Sequence, residues 1–176
     1  TVTGNTLTLG ASAGSPSATI NVAAFTNATI SSVIAGTSGL TKTGNGTLIL
    51  TNNSNSYTGD TVINAGALVI TNEAQLGAST TTISISGLAQ TGNPGYSGGQ
   101  LIVNGVSDTG GVTMNREIGV SGRGPGAANQ VGALTSIGNN IFNGDINLGG
   151  PTSEARMSSN VGIATLNGDV YLGASA

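Results

Sequence analysis

Side chains able to do chemistry are few in this chain: seven acids and four bases among 176 residues, with no histidine and no cysteine. Gly95-Tyr96-Ser97-Gly98-Gly99 has the form Gly-x-Ser-x-Gly of a nucleophile elbow. That motif needs a strand feeding a helix and a general base to take the serine proton, and a chain without histidine lacks the usual base. Gly122, Gly124 and Gly126 are spaced like a phosphate-cradling loop, but Pro125 lies among them and neither Gly-Lys-Ser/Thr nor a helix follows. The Gly-Gly-x-Gly-x-Asp nonapeptide of calcium-threaded rolls does not occur. Asp145 and Asp169 are the most informative acids, because each ends an Asn-Gly-Asp in one of two matching stretches. On adjacent turns of a coil their carboxylates would stack about 5 Å apart, a repulsion relieved by solvent, protonation or a cation. Calcium takes roughly six to eight oxygens, and the sequence offers only Asn143, Asn147, Asn167 and backbone as additional ligands. Two solvated corner residues are the simpler expectation, with no metal and no cofactor.

Glycan chemistry makes different demands. Cleavage needs two carboxylates flanking the glycosidic bond, or acids holding calcium beside a base. Arg116, Arg123 and Arg156 are far apart in sequence and no acid cluster accompanies them, so no catalytic residue is assigned. Binding without cleavage needs only a platform, for which Tyr57, Tyr96 and Tyr171 are the candidates, against a plainer role in packing. A net charge of −3 with four bases leaves nothing to neutralise phosphates, which excludes nucleic acid as a partner. The longest charge-free run, residues 1–41, is interrupted throughout by Ser, Thr, Asn and Gly, so membrane insertion is not expected. The chain starts at Thr without a signal peptide, and the expectation is a mature piece or an excised segment of a longer precursor.

The elements that must position these groups are short strands. Thirty glycines, 6% charged residues and 3% aromatics would also suit a linker. Apolar residues nevertheless recur as alternating pairs along the chain, and the mean hydropathy is +0.17, which favours a folded coil. Residues 39–70 organise the rest. Strands predicted at 47–51 and 67–71 point Leu48/Leu50 and Leu68/Ile70 inward, with those pairs twenty residues apart and a weaker strand at 60–64 between them. Further alternating strands are expected at 1–10, 18–22, 28–34, 81–86, 100–104, 117–120 and 132–137. Residues 72–79 have some helical character and are expected to form a loop excursion, while 87–99 and 122–129 are expected to project as loops. Phe142–Gly149 recurs as Leu166–Gly173 twenty-four residues later, with six of eight positions identical or exchanging one aliphatic for another. Strands of about five residues cannot bury a face alone, and repeats near 20 to 25 residues suit a chain that stacks on itself.

The same organising stretch resembles the passenger-associated repeat of autotransporter-type bacterial surface proteins. The resemblance rests on Gly46, Leu48 and Leu50, then Asn55, Tyr57-Thr58-Gly59, Thr61, Asn64-Ala65-Gly66 and Leu68, preceded by a matching lead-in at Gly39-Leu40-Thr41-Lys42-Thr43-Gly44. It is strong over residues 37–77 and looser elsewhere. Asn52-Asn53 depart from it, standing where the family commonly turns on Gly, in a turn one residue longer. What the resemblance implies is a secreted parallel β-helix exposed on the cell surface, often a stalk or adhesin.

The resulting expectation is an all-β chain, a right-handed parallel β-helix (solenoid) of roughly eight rungs and about thirteen strands. Its length would be roughly 35 to 40 Å at the spacing of paired strands. Residues 1–176 form one segment, part of a longer solenoid or a filament subunit; a β-sandwich is the alternative architecture. The expected function is that of a structural extracellular or cell-surface element (adhesin stalk, spacer or filament element) without catalysis. A carbohydrate-binding module on the same coil is the alternative. Expected partners are adjacent rungs or copies of itself end to end, and glycans or surfaces of host or neighbouring cells. Neither end carries an obvious cap, since 1–10 and 169–176 hold one charged side chain between them.

Overall fold

A computed structural model describes residues 1–10, 17–78, 80–86, 98–106, 110–122, 124–125, 132–149 and 155–173. In the first part of the chain the strands are β1 (Leu7–Leu9), β2 (Ser17–Asn21), β3 (Asn27–Ile30), β4 (Ile34–Gly36), β5 (Gly39–Thr43) and β6 (Thr47–Leu50). The middle contributes β7 (Thr61–Ile63), β8 (Gly66–Ile70), β9 (Ile83–Ile85), β10 (Gly99–Gly105), β11 (Thr113–Met114) and β12 (Ile118–Val120). The last part adds β13 (Leu134–Gly138), β14 (Asn140–Phe142), β15 (Ile146–Leu148), β16 (Met157–Asn160), β17 (Ala164–Leu166) and β18 (Val170–Leu172).

Every pair among them is parallel and none joins strands consecutive in sequence, so the chain must go round between partners. Each turn visits three walls. The first is a seven-stranded sheet, β2-β5-β7-β9-β12-β15-β18, and the second a six-stranded sheet, β3-β6-β8-β10-β13-β16. The third begins as β1-β4 and ends as β11-β14-β17. Between these it continues without regular strands: Ser56 N–H donates to the Ile34 carbonyl (2.8 Å), Thr58 N–H to that of Gly36 (3.1 Å), and Ala78 N–H to that of Tyr57 (2.9 Å). The fold is a parallel β-solenoid.

Alternation explains the core. In the six-stranded sheet Leu48 pairs with Leu68, Leu68 with Leu101 and Leu101 with Leu134, all within 1% of full burial. In the seven-stranded sheet Ile83, Ile118 and Ile146 form one inward column and Ile63, Ile85 and Val120 another. One-residue slips would turn these columns outward, which fixes the register.

Three expectations change. The solenoid makes about six turns, not eight, because long insertions stretch two of them. Equivalent inward positions step from Ala18 to Leu40 and from Leu40 to Thr61, but then from Ile83 to Ile118. At the spacing of paired strands six turns rise about 30 Å. The described strands number eighteen rather than thirteen, since the third wall adds a short strand to most turns: 28–34, expected as one strand, divides at a corner into β3 and β4. Finally, the described part of 72–79, residues 72–78, is no excursion. A single 3-10 turn (Glu73–Leu76), whose first turn is capped by the Asn72 side chain accepting from Ala74 N–H, sits in the third wall with Gln75 and Leu76 buried. Of the two expected projecting loops, 87–97, 123 and 126–129 lie outside the described residues.

Candidate functional site

Asp145 and Asp169 stand on adjacent turns. Their strands β15 and β18 pair directly, and Asp145 Oδ1 accepts from Asp169 N–H at 3.0 Å. A backbone donor thus meets the lower carboxylate. The Asn-Gly-Asp spacing also places the asparagines in a ladder: Asn167 Nδ2 donates to Asn143 Oδ1, and Asn143 Nδ2 to Asn115 Oδ1, each at 2.9 Å. Asn115 Nδ2 in turn donates to Glu73 Oε2 at 2.9 Å. Among the described residues there is no group of three or more acids, histidines or cysteines arranged to hold a metal.

The tyrosines part company. Tyr57 is fully buried, its hydroxyl 2.8 Å from Thr61 Oγ1, so it cannot serve as a stacking platform. Tyr96 lies outside the described residues, as do Gly95 and Ser97 of the Gly-x-Ser-x-Gly stretch and Gly126 of the glycine-spaced loop. Tyr171 is half-exposed on β18. Its hydroxyl donates to Asp169 Oδ2 at 3.2 Å; that bond, followed by the charges of Asp169, Asp145 and Glu117, raises the phenol above its ordinary range.

Four polar side chains of the organising stretch, Lys42, Asn55, Tyr57 and Thr61, are buried. Asn55 Oδ1 accepts from Ile34 N–H (2.8 Å) on the turn before, and its Nδ2 donates to the Gln75 carbonyl (2.7 Å) on the turn after. One buried amide therefore closes a gap that a strand ladder would otherwise fill. Gly66 has φ 66° and lies over the Gly46 carbonyl, where a Cβ would overlap backbone; Gly59 lies as close to the Gly39 backbone. Lys42 occupies the same inward column as Ile63, and its Nζ donates to the carbonyls of Thr43 (2.8 Å), Gly44 (2.7 Å) and Ala65 (3.0 Å). Burial pushes its pKa down to about 8.

Arg116 is a second interior cation. Its Nε meets Glu73 Oε1 at 3.2 Å, and Nη1 donates to the Leu76 carbonyl (2.9 Å) and to Thr81 Oγ1 (2.7 Å). The guanidinium fork ties the 3-10 turn of one rung to the next. Nothing in the sequence marks this role, since a lone arginine ordinarily belongs to a surface; Glu73 lies 43 residues away.

Residues 40–70, which contain the Asn55, Tyr57, Thr61 and Gly66 contacts, match the family model of the passenger-associated-transport-repeat. Over 132 residues, 75% of this chain, the sequence is 38% identical to the adhesin BmaC autotransporter of Brucella suis biovar 1 (strain 1330). The chain is of the autotransporter passenger type. It spans about 3% of the length of that relative. In this passenger segment the motif residues hold one rung on another. Asn55 and Gly66 secure corners, Tyr57 and Thr61 fill the interior, and Leu48 and Leu68 stack in the sheet. Its described carboxylates are all on or near the corners or tied to a neighbouring rung, with Glu117 accepting from Asn147 Nδ2. Glu73 is engaged by Asn115 and Arg116, and Asp60, Asp145 and Asp169 line the corners, where Asp60 Oδ1 accepts Thr82 N–H at 2.9 Å.

Proposed function

We propose that this chain is a non-catalytic structural element of a secreted or cell-surface passenger: a stiff adhesin-type spacer that holds other surfaces away from the cell. The observation carrying this reading is the unbroken register of Leu48, Leu68, Leu101 and Leu134 across four turns. Each turn adds parallel backbone bonds and a ring of aliphatic side chains to its neighbour, so length is gained without new chemistry. The name of the adhesin relative supports the surface assignment. The partner along the axis is more of the same coil, stacked on the open edge of β16, β17 and β18, where Leu166, Val170 and Leu172 are exposed. Antibodies against this chain test the assignment on cells of the source bacterium. Labelling of intact cells is expected, and labelling only after permeabilisation would overturn it.

A further inference from the structure

Glycines inside strands of this solenoid have a steric reason to be there, with one exception. A Cβ added to Gly36, Gly39, Gly66, Gly99, Gly105 or Gly138 would come closer than 3.0 Å to neighbouring atoms. At Gly119, in the middle of β12, the nearest atoms to such a Cβ would be the Ile83 carbonyl oxygen at 3.7 Å and Ser84 Oγ at 4.0 Å, and its φ is not positive. Among the described residues, neither packing nor backbone conformation calls for glycine here. A strand interior favours β-branched residues, and glycine costs it stability. A glycine within a strand often marks a site where a ligand or another backbone approaches closely.

Its surroundings say what that is. Gly119 belongs to the outward column of the seven-stranded sheet, paired with Ser84 on one side and Asn147 on the other, and Asn147 is paired with Tyr171. The missing side chain leaves a notch whose floor is backbone. Ser84, Asn147 and Tyr171 line it: Ser84 is exposed, Asn147 partly buried and Tyr171 half-exposed. Asn147 Nδ2 donates to Glu117 Oε1, which holds that amide in place. We infer that this notch is a binding subsite for a neutral saccharide, seated over Gly119 beside Tyr171. A pyranose ring has an apolar C–H face suited to an aromatic wall and hydroxyls suited to serine and amide groups. Glu117, Asp145 and Asp169 make the local field negative, which disfavours sialylated and uronate-bearing sugars.

The subsite deepens the adhesin reading and rests on this face being exposed at the cell surface. The test uses the whole chain on an array carrying neutral, sialylated and uronate-bearing glycans, followed by calorimetric titration of the best neutral binder. Retention on neutral glycans is expected. Gly119→Val should weaken it at least tenfold while leaving the melting temperature unchanged or higher, because the added side chain has room and suits a strand. Tyr171→Ala should weaken it at least tenfold as well. No retention on neutral glycans, retention on acidic glycans alone, or binding unchanged by Gly119→Val would each overturn the inference. A blank array combined with labelling of intact cells would remove the subsite and leave the structural assignment standing.

Discussion

Arg116 and Tyr57 carry the sharpest consequences at the scale of single residues. Removing the Arg116 guanidinium leaves the Leu76 carbonyl and Thr81 hydroxyl without that donor in a dry interior, while Glu73, partly exposed, can recover water. Arg116→Ala should therefore cost about 3 kcal/mol in denaturant unfolding, a sum of unmet buried groups. Arg116→Lys should recover little of it, since one ammonium cannot span Glu73, Leu76 and Thr81 as the planar fork does; a lysine variant as stable as the parent would refute that geometry. Tyr57 predicts a pH dependence. Burial pushes its phenol up to about 12, against the opposing pull of the Thr61 hydrogen bond and the Arg116 charge. The unfolded chain would release this proton near pH 10 and the folded chain only near 12, so the associated stability is complete below pH 10 and is lost as pH rises through 12. Two pKa units correspond to about 2 to 3 kcal/mol. Denaturation at pH 9 and pH 11.5 should show this loss in the parent but not in Tyr57→Phe, which at neutral pH sacrifices about 1 kcal/mol of hydrogen bonding. An equal alkaline loss in both proteins would assign the titration elsewhere.

At the scale of the element, the alternating pattern made the strands legible before any coordinates, because inward Leu and Ile at every second position leave one register that buries them. Leu48, Leu68, Leu101 and Val103 all pointed the expected way. Leu68→Asp should accordingly unfold its rung, costing several kcal/mol for a charge with no partner in the aliphatic column. Val69→Asp, one residue along on the outer face, should cost roughly 1 kcal/mol or less. Thermal melts of the two variants test the face assignment directly; equal destabilisation would contradict it. What alternation cannot reveal is an inward polar position satisfied from another turn. Lys42 reads as a surface lysine until the carbonyl of Ala65, 23 residues on, comes into reach. The turn at Glu73–Leu76 reads as a loop because its anchor, Arg116, lies 40 residues beyond Leu76. Asn55 and Gly66 were legible only through family resemblance, for their partners likewise sit on neighbouring rungs.

For the molecule as a whole, the winding was readable and the number of turns was not. Repeats of twenty and twenty-four residues are visible at Leu48/Leu68 and Phe142/Leu166, whereas the insertions between Leu68 and Leu134 hide two turns of much longer period. The outer notch at Gly119 was equally invisible, because its meaning depends on there being no atom among the described residues that would forbid a side chain. Stacking also dictates how such a coil loses its structure. Among the described strands, sheet partners are always on adjacent turns, so stability should be a sum of nearest-neighbour terms rather than a single global quantity. The end at β16 to β18 has a strand partner on one side alone, with Leu166, Val170 and Leu172 exposed, whereas β6, β8 and β10 are paired on both sides around fully buried leucines. Native-state hydrogen exchange on this 176-residue chain should therefore grade along the axis, with amides of β17 and β18 opening most easily and those of β8 least. Leu68→Asp should reverse the order locally, lowering protection in β6, β8 and β10 while leaving β15 near its parental value. Uniform protection from end to end, or loss of protection everywhere in that variant, would mean that the turns fold as one indivisible unit, and the additive account of its stiffness would have to be abandoned.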